Sequence, residues 1–122
     1  MSATVQSKIL IVEDESIVAL DIRRRVEKLG YRVTGMAVRA QQAMTLIESE
    51  LPDIVLMDIH LNDAIDGIDV ANAINEKYRL PIIFITAYSE DATMGRASQA
   101  LPYGYLLKPF SERDLQAVLK IS

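Results

Sequence analysis

Apolar positions along the chain fall into two registers. Short runs in which consecutive positions are apolar occur at residues 9–12, 54–57, 82–85 and 105–107, with a weaker one around 31–36. Runs this short, rich in Ile and Val, predict strands covered on both faces, the habit of parallel sheets. Between them the apolar residues recur every three or four positions. Val18, Ile22, Val26 and Leu29 make one such stripe, and Gly30 stands where its helix would stop. Ala40, Ala43, Met44 and Ile47 make a second; Val70, Ala73, Ile74 and Lys77 make a third, closed by Pro81. Leu115, Val118 and Leu119 follow Ser111 and Asp114, a capping pair. Segment 89–100 is a weaker helix, with Gly95 near its middle and only Ala92, Met94, Ala97 and Ala100 to bury. Five strands thus alternate with five helices, which predicts an α/β three-layer sandwich around an open parallel sheet with right-handed crossovers.

Composition narrows the chemistry. At 122 residues, half of them hydrophobic, one domain with a substantial core is expected. Cysteine is absent and His60 is the sole histidine, which excludes disulfides, a thiolate nucleophile and a multi-His metal centre. Thirteen Lys and Arg against seventeen Asp and Glu leave a net charge of −4, unfavourable for binding nucleic acid or an anionic membrane. The basic cluster Arg23, Arg24 and Arg25 lies inside a predicted helix and reads as a solvated face. Residues 1–7 are a polar tail without the apolar core of a signal peptide, and no apolar run approaches a membrane span, so a cytoplasmic protein is expected.

In an open α/β sheet the ligand crevice lies beyond the carboxyl ends of the strands, so the residues following each apolar run are the ones to read. They are Glu13, Asp14 and Glu15 after the first run, Asp58 after the third, Thr86 after the fourth, and Lys108 with Pro109 after the fifth. Each alone has an ordinary explanation. Asp14 or Glu15 would suit a helix N-terminus, Thr86 a strand and Lys108 a loop. Asp58 is harder to dismiss, because a charge at the mouth of an apolar strand is costly unless paired. Carboxylates gathered there would be relieved by a hard divalent cation such as Mg²⁺. One of them could then take a phosphoryl group as an aspartyl phosphate, with Lys108 and the Thr86 hydroxyl meeting the phosphoryl oxygens.

The ordered set Glu13-Asp14, Leu56-Met57-Asp58, Asp66-Gly67, Thr86-Ala87 and Tyr105-Leu106-Leu107-Lys108-Pro109-Phe110 resembles the receiver domain of two-component response regulators. The likeness runs from residue 8 to 120. It implies a flavodoxin-like fold with strand order 2-1-3-4-5, a fold feature that periodicity alone does not supply. It further implies Asp58 as phospho-acceptor, Mg²⁺ held by Glu13, Asp14, Asp58 and the backbone carbonyl of His60, Lys108 on the phosphoryl oxygens, Thr86 and Tyr105 as a switch pair, and a cis Lys108-Pro109 bond. A sensor histidine kinase or phosphotransfer protein would be the donor, and segment 89–100, the fifth strand and the C-terminal helix the readout surface. Dimerisation on phosphorylation is a family option. The chain would be either a free-standing receiver or the N-terminal part of a longer protein with an output domain.

There are departures from the family pattern. Leu61 stands where many receivers carry proline, and Asp58 to Asp66 spans eight residues where seven is usual. His60 and Tyr88 occupy positions at which the family varies. Asp63, Asp66 and Asp69 are not followed by the Glu that a calcium loop requires. Two other classes share the topology. A nucleotide- or flavin-binding module would need a phosphate cradle, and the glycines at 30, 35, 67, 95 and 104 form none. A metal-dependent phosphatase would need a second acid near Asp58, and His60 stands two residues on where such enzymes carry Asp.

Overall fold

The computed structural model describes residues 7–59, 61, 67–86 and 103–121. Five strands, β1 (Lys8–Val12), β2 (Arg32–Ala37), β3 (Ile54–Asp58), β4 (Ile82–Thr86) and β5 (Gly104–Leu107), form one parallel sheet in the order β2-β1-β3-β4-β5. Four helices are described: α1 (Ser16–Lys28), α2 (Ala40–Glu50), α3 (Gly67–Lys77) and α4 (Glu112–Ile121). The fifth expected helix, 89–100, lies outside the described residues, as do Gly95, Ala87, Tyr88, His60 and the loop aspartates Asp63 and Asp66.

Burial accounts for the strand order. Every residue of β3 and β4 is buried, and so are the last four of β1; these are the central strands. The more mixed β2 and β5 take the edges. Because side chains alternate across a strand, the apolar runs divide between two cores. Leu10, Val12, Val55, Met57 and Phe84 meet Ala43 and Ile47 of α2 and Ile68 and Ile74 of α3. Ile9, Ile11, Leu56, Ile83 and Ile85 meet Ile22 and Val26 of α1 and Leu115 and Leu119 of α4.

The helix ends follow local chemistry. Gly30 (φ 98°) closes α1: its N–H donates to the Glu27 carbonyl at 3.0 Å and the Tyr31 N–H to that of Val26 at 3.2 Å, a Schellman pair that spends two otherwise orphaned carbonyls. At the start of α4 the Ser111 N–H donates to Asp114 Oδ2 and the Asp114 N–H to Ser111 Oγ, both at 3.0 Å, the reciprocal capping box expected of that pair. The α3 stripe differs from the expected one. Ala73 and Lys77 are exposed, and Ile68, Val70, Ala71 and Ile74 face the core. The helix starts early enough for Ile68 to join the stripe, which rotates its buried face away from position 73.

Candidate functional site

Because all five strands run the same way, their carboxyl ends share one rim, where Asp58 and Thr86 end β3 and β4 and where the residues following β1 and β5 gather. The Glu13 N–H donates to the Ala37 carbonyl at 2.9 Å, so the chain leaves β1 still tied to β2. Asp58 is the last residue of β3, with the Ile59 N–H bonded to the Ile85 carbonyl at 3.1 Å just beyond it. Thr86 ends β4, and its carbonyl accepts the Lys108 N–H at 2.8 Å, which sets the point where the chain turns out of β5. The Lys108–Pro109 peptide is cis.

These ties bring three acids together. One carboxylate oxygen from each of Glu13, Asp14 and Asp58 lies within 4.8 Å of the others. Glu13 and Asp58 are buried, at 1% and 5% exposure, and Asp14 is half-buried at the mouth. Lys108 reaches in from β5, its Nζ 2.9 Å from Glu13 Oε1 and 3.8 Å from Asp58 Oδ2. Glu15, the third acid after β1, is exposed and outside the cluster; its backbone N–H caps Glu13 Oε2 at 3.3 Å. Burial opposes ionisation of Glu13, but hydrogen-bonding contacts with Asp58, Lys108 and Asp14, together with the Lys108 charge, outweigh it and hold the carboxyl below its ordinary range. Burial likewise works against charge on Lys108. The hydrogen bond to Glu13 and the negative charges of Asp58, Glu13 and Glu15 overcome it, raising the ammonium above its usual value.

The donor set is all oxygen, compact and open to water on the Asp14 side. Those are the requirements of Mg²⁺, which takes a few carboxylates and keeps several waters. The residues present therefore fit that ion. The fourth suggested ligand, the carbonyl of His60, lies outside the described residues.

Thr86 is fully buried, and Tyr105 is half-buried one register step from it. In the β4–β5 ladder Phe84 pairs with Tyr105 and Thr86 with Leu107, so Thr86 and Tyr105 project from the same face of the sheet. The Tyr105 ring rests 6.1 Å, centroid to centroid, from Phe84 at a tilt of 33°.

Two contacts around the site are not evident from the residue pattern. A Cβ on Gly67 would overlap the Asp58 carbonyl oxygen, and the Gly67 N–H donates to the Ile59 carbonyl at 2.8 Å; the start of α3 is thus pressed against the peptide at the end of β3. Its signal was the Asp66-Gly67 pair, whose spatial partner the sequence does not disclose. The second is Arg25: with 34% of its side chain exposed, it departs from the solvated face expected for the arginine run and contacts Phe110 beside Lys108.

Comparison with known proteins places this geometry in context. A family model for the response regulator receiver domain matches residues 9–120. Transcriptional regulatory protein PdtaR of Mycobacterium tuberculosis is 37% identical over 120 residues, 98% of this chain and 58% of PdtaR. Phyllosphere-induced regulator PhyR of Methylorubrum extorquens is 36% identical over 120 residues, 98% of this chain and 44% of PhyR. The chain therefore spans about half the length of these curated relatives. Among solved structures, the signal receiver domain of a modulated diguanylate cyclase from Desulfovibrio desulfuricans G20 superposes with a TM-score of 0.89 at 36% identity, covering 96% of this chain and 93% of that one.

Proposed function

Since the chain belongs to the family of response regulator receiver domains, we propose that it is a phosphorylation-dependent switch whose acceptor is Asp58. The observation that carries this reading is the meeting of Glu13, Asp14 and Asp58 with Lys108 at one rim of the sheet. In the transfer, an Asp58 carboxylate oxygen forms a bond to phosphorus as the P–N bond of a partner's phosphohistidine breaks, and the electron pair leaves with the imidazole. Glu13, Asp14, Asp58 and the His60 carbonyl would hold Mg²⁺, which when bound supplies positive charge to the phosphoryl oxygens. Lys108 meets a second oxygen and the Thr86 hydroxyl a third, so this chain's own work is to position the acceptor and neutralise charge.

The switch follows from the added charge, up to about −2 near neutral pH. Lys108, which now favours Glu13, is drawn towards the phosphoryl group, Thr86 donates to it, and Tyr105 packs inward along the face the two residues share. Inverting a 1:99 equilibrium needs roughly 5.5 kcal/mol of preference, which two charge-assisted hydrogen bonds near the top of the usual range of about 1.5 to 3 kcal/mol, or three near its middle, would supply.

The receiver unit would extend over residues 8–120 behind a short tail, in a cytoplasmic protein. A sensor histidine kinase or phosphotransfer protein would donate, and an attached output domain, a downstream protein or a second copy would read the result. The longer PdtaR and PhyR agree with an output beyond the receiver. The family is one of signalling proteins, and no observation favours the phosphatase alternative. Acetyl phosphate and Mg²⁺ provide the test. One base-labile phosphoryl group per chain by mass spectrometry, absent in Asp58→Asn, is expected; an unmodified chain, or equal incorporation in the variant, would overturn the assignment.

A further inference from the structure

The loop that delivers Lys108 is held in an unusual way. Residues 108–110 leave β5 through the Lys108 N–H bond to Thr86 and enter α4 through the Ser111–Asp114 box. Between these anchors the loop faces α1 across a cleft of about 380 Å³, whose walls include Val18, Ile22 and Arg25 on one side and Lys108, Pro109 and Phe110 on the other. Arg25 spans this cleft. Its Nη1 donates to the Phe110 carbonyl at 3.1 Å, its guanidinium carbon lies 5.6 Å from the centre of the Phe110 ring, and its Nε is 3.1 Å from Asp21 Oδ2 one helical turn back. Asp21 favours, at the modest strength of an i,i+4 pair, the azimuth of a side chain whose planar fork grips main chain and ring together, a combination an ammonium does not reproduce. An ion pair also joins α1 to the start of α4, Lys28 to Glu112 at 3.5 Å, but it is exposed and weak.

We infer that Arg25 is a positioning residue for Lys108, setting the height of the 108–110 loop over α1 and so the reach of the ammonium towards Asp58; the inference rests on the phosphorylation reading above. The margin is narrow. Lys108 Nζ is within hydrogen-bond distance of Glu13 but at 3.8 Å from Asp58, so a shift of the loop by an ångström decides whether the ammonium meets a group carried on Asp58. The mutual geometry of the two elements, not the charge of the arginine run, would give Arg25 its role, and Arg23 and Arg24 would have none.

The test is a double-mutant cycle on phosphoryl incorporation from acetyl phosphate with Mg²⁺, at a temperature where circular dichroism shows every chain folded. Arg25→Met keeps the stem and helix propensity but removes the donors. It should slow incorporation about fivefold or more at saturating donor, within the hundredfold that ångström-scale misplacement can cost. In a Lys108→Ala background the same change should have no further effect, because a residue acting through Lys108 loses its lever when Lys108 is gone. Arg25→Lys, which keeps the charge, should recover less than half of the loss and stands in should Arg25→Met not fold. An unchanged rate in either variant, or an equal loss with and without Lys108, would overturn the inference alone. If Lys108→Ala were itself without effect, the role given to Lys108 would fall, and this inference with it.

Discussion

Asp58 and Glu13 are acidic side chains inside the protein, and Gly67 shows how closely the surroundings of Asp58 are built. The space a side chain at 67 would take is filled by the Asp58 carbonyl, so even a methyl group there must push the Asp58 peptide aside. Gly67→Ala should cost about 1 to 3 kcal/mol, the usual penalty of overpacking, read from the urea midpoint. It should also slow phosphorylation of the protein that remains folded; a variant of unchanged stability would show that the helix shifts freely and that the contact does not matter. The acids were legible in the sequence as a set, because several strand ends carry charge together, although each alone, Asp58 apart, has an ordinary explanation and Glu15 lies outside the cluster. The contact of Gly67 was not, because it joins two residues nine apart through a loop whose path the pattern does not specify. Arg25 was hidden for a related reason: a run of three arginines looks uniform along the chain, and only the helix phase relative to Phe110 separates Arg25 from its neighbours.

At the scale of elements, capping and packing carry the argument. The Ser111–Asp114 box satisfies two N–H groups at the start of α4, so Ser111→Ala should lower stability by about 1 kcal/mol in denaturant titration. A loss below a few tenths would mean that water replaces the cap. The end of α2 is different. Leu51 sits in the left-handed region (φ 49°) and is largely exposed, so it bears backbone strain and gains little from burial. Leu51→Gly should therefore stabilise the domain by about 0.5 to 1 kcal/mol, and a lower urea midpoint would contradict that account. The strands were predicted within a residue of their observed ends, since consecutive apolar positions can be satisfied only by burial on both faces. The α3 stripe was misjudged because Ala73 suits either side of a helix. Segment 89–100 lies outside the described residues, so its expected looseness remains a sequence-based expectation.

For the whole molecule, an ion held by the three acids at one rim would make folding and ion binding a linked pair of equilibria. An ion that binds only the native cluster stabilises it by mass action, by about 2.7 kcal/mol at a hundredfold excess over the dissociation constant. Mg²⁺ should therefore raise the thermal midpoint of the chain, while Asp14→Ala, altered at the half-exposed mouth, should lose most of that rise. Equal shifts in both proteins would remove the acidic cluster as the binding site. No described helix is long and apolar enough to cross a membrane. The sequence by itself determined the class of fold, the alternation of its elements and the residues at the strand ends, because hydrophobic burial and chain reversal are local demands that leave a local pattern. Strand order came from a family resemblance rather than from periodicity, and the sheet has that order. Tertiary structure alone decided that Lys108 stands closer to Glu13 than to Asp58, that Gly67 abuts the Asp58 peptide and that Arg25 spans to Phe110. Such contacts depend on sub-ångström relations between segments far apart in the chain, which no spacing along it records.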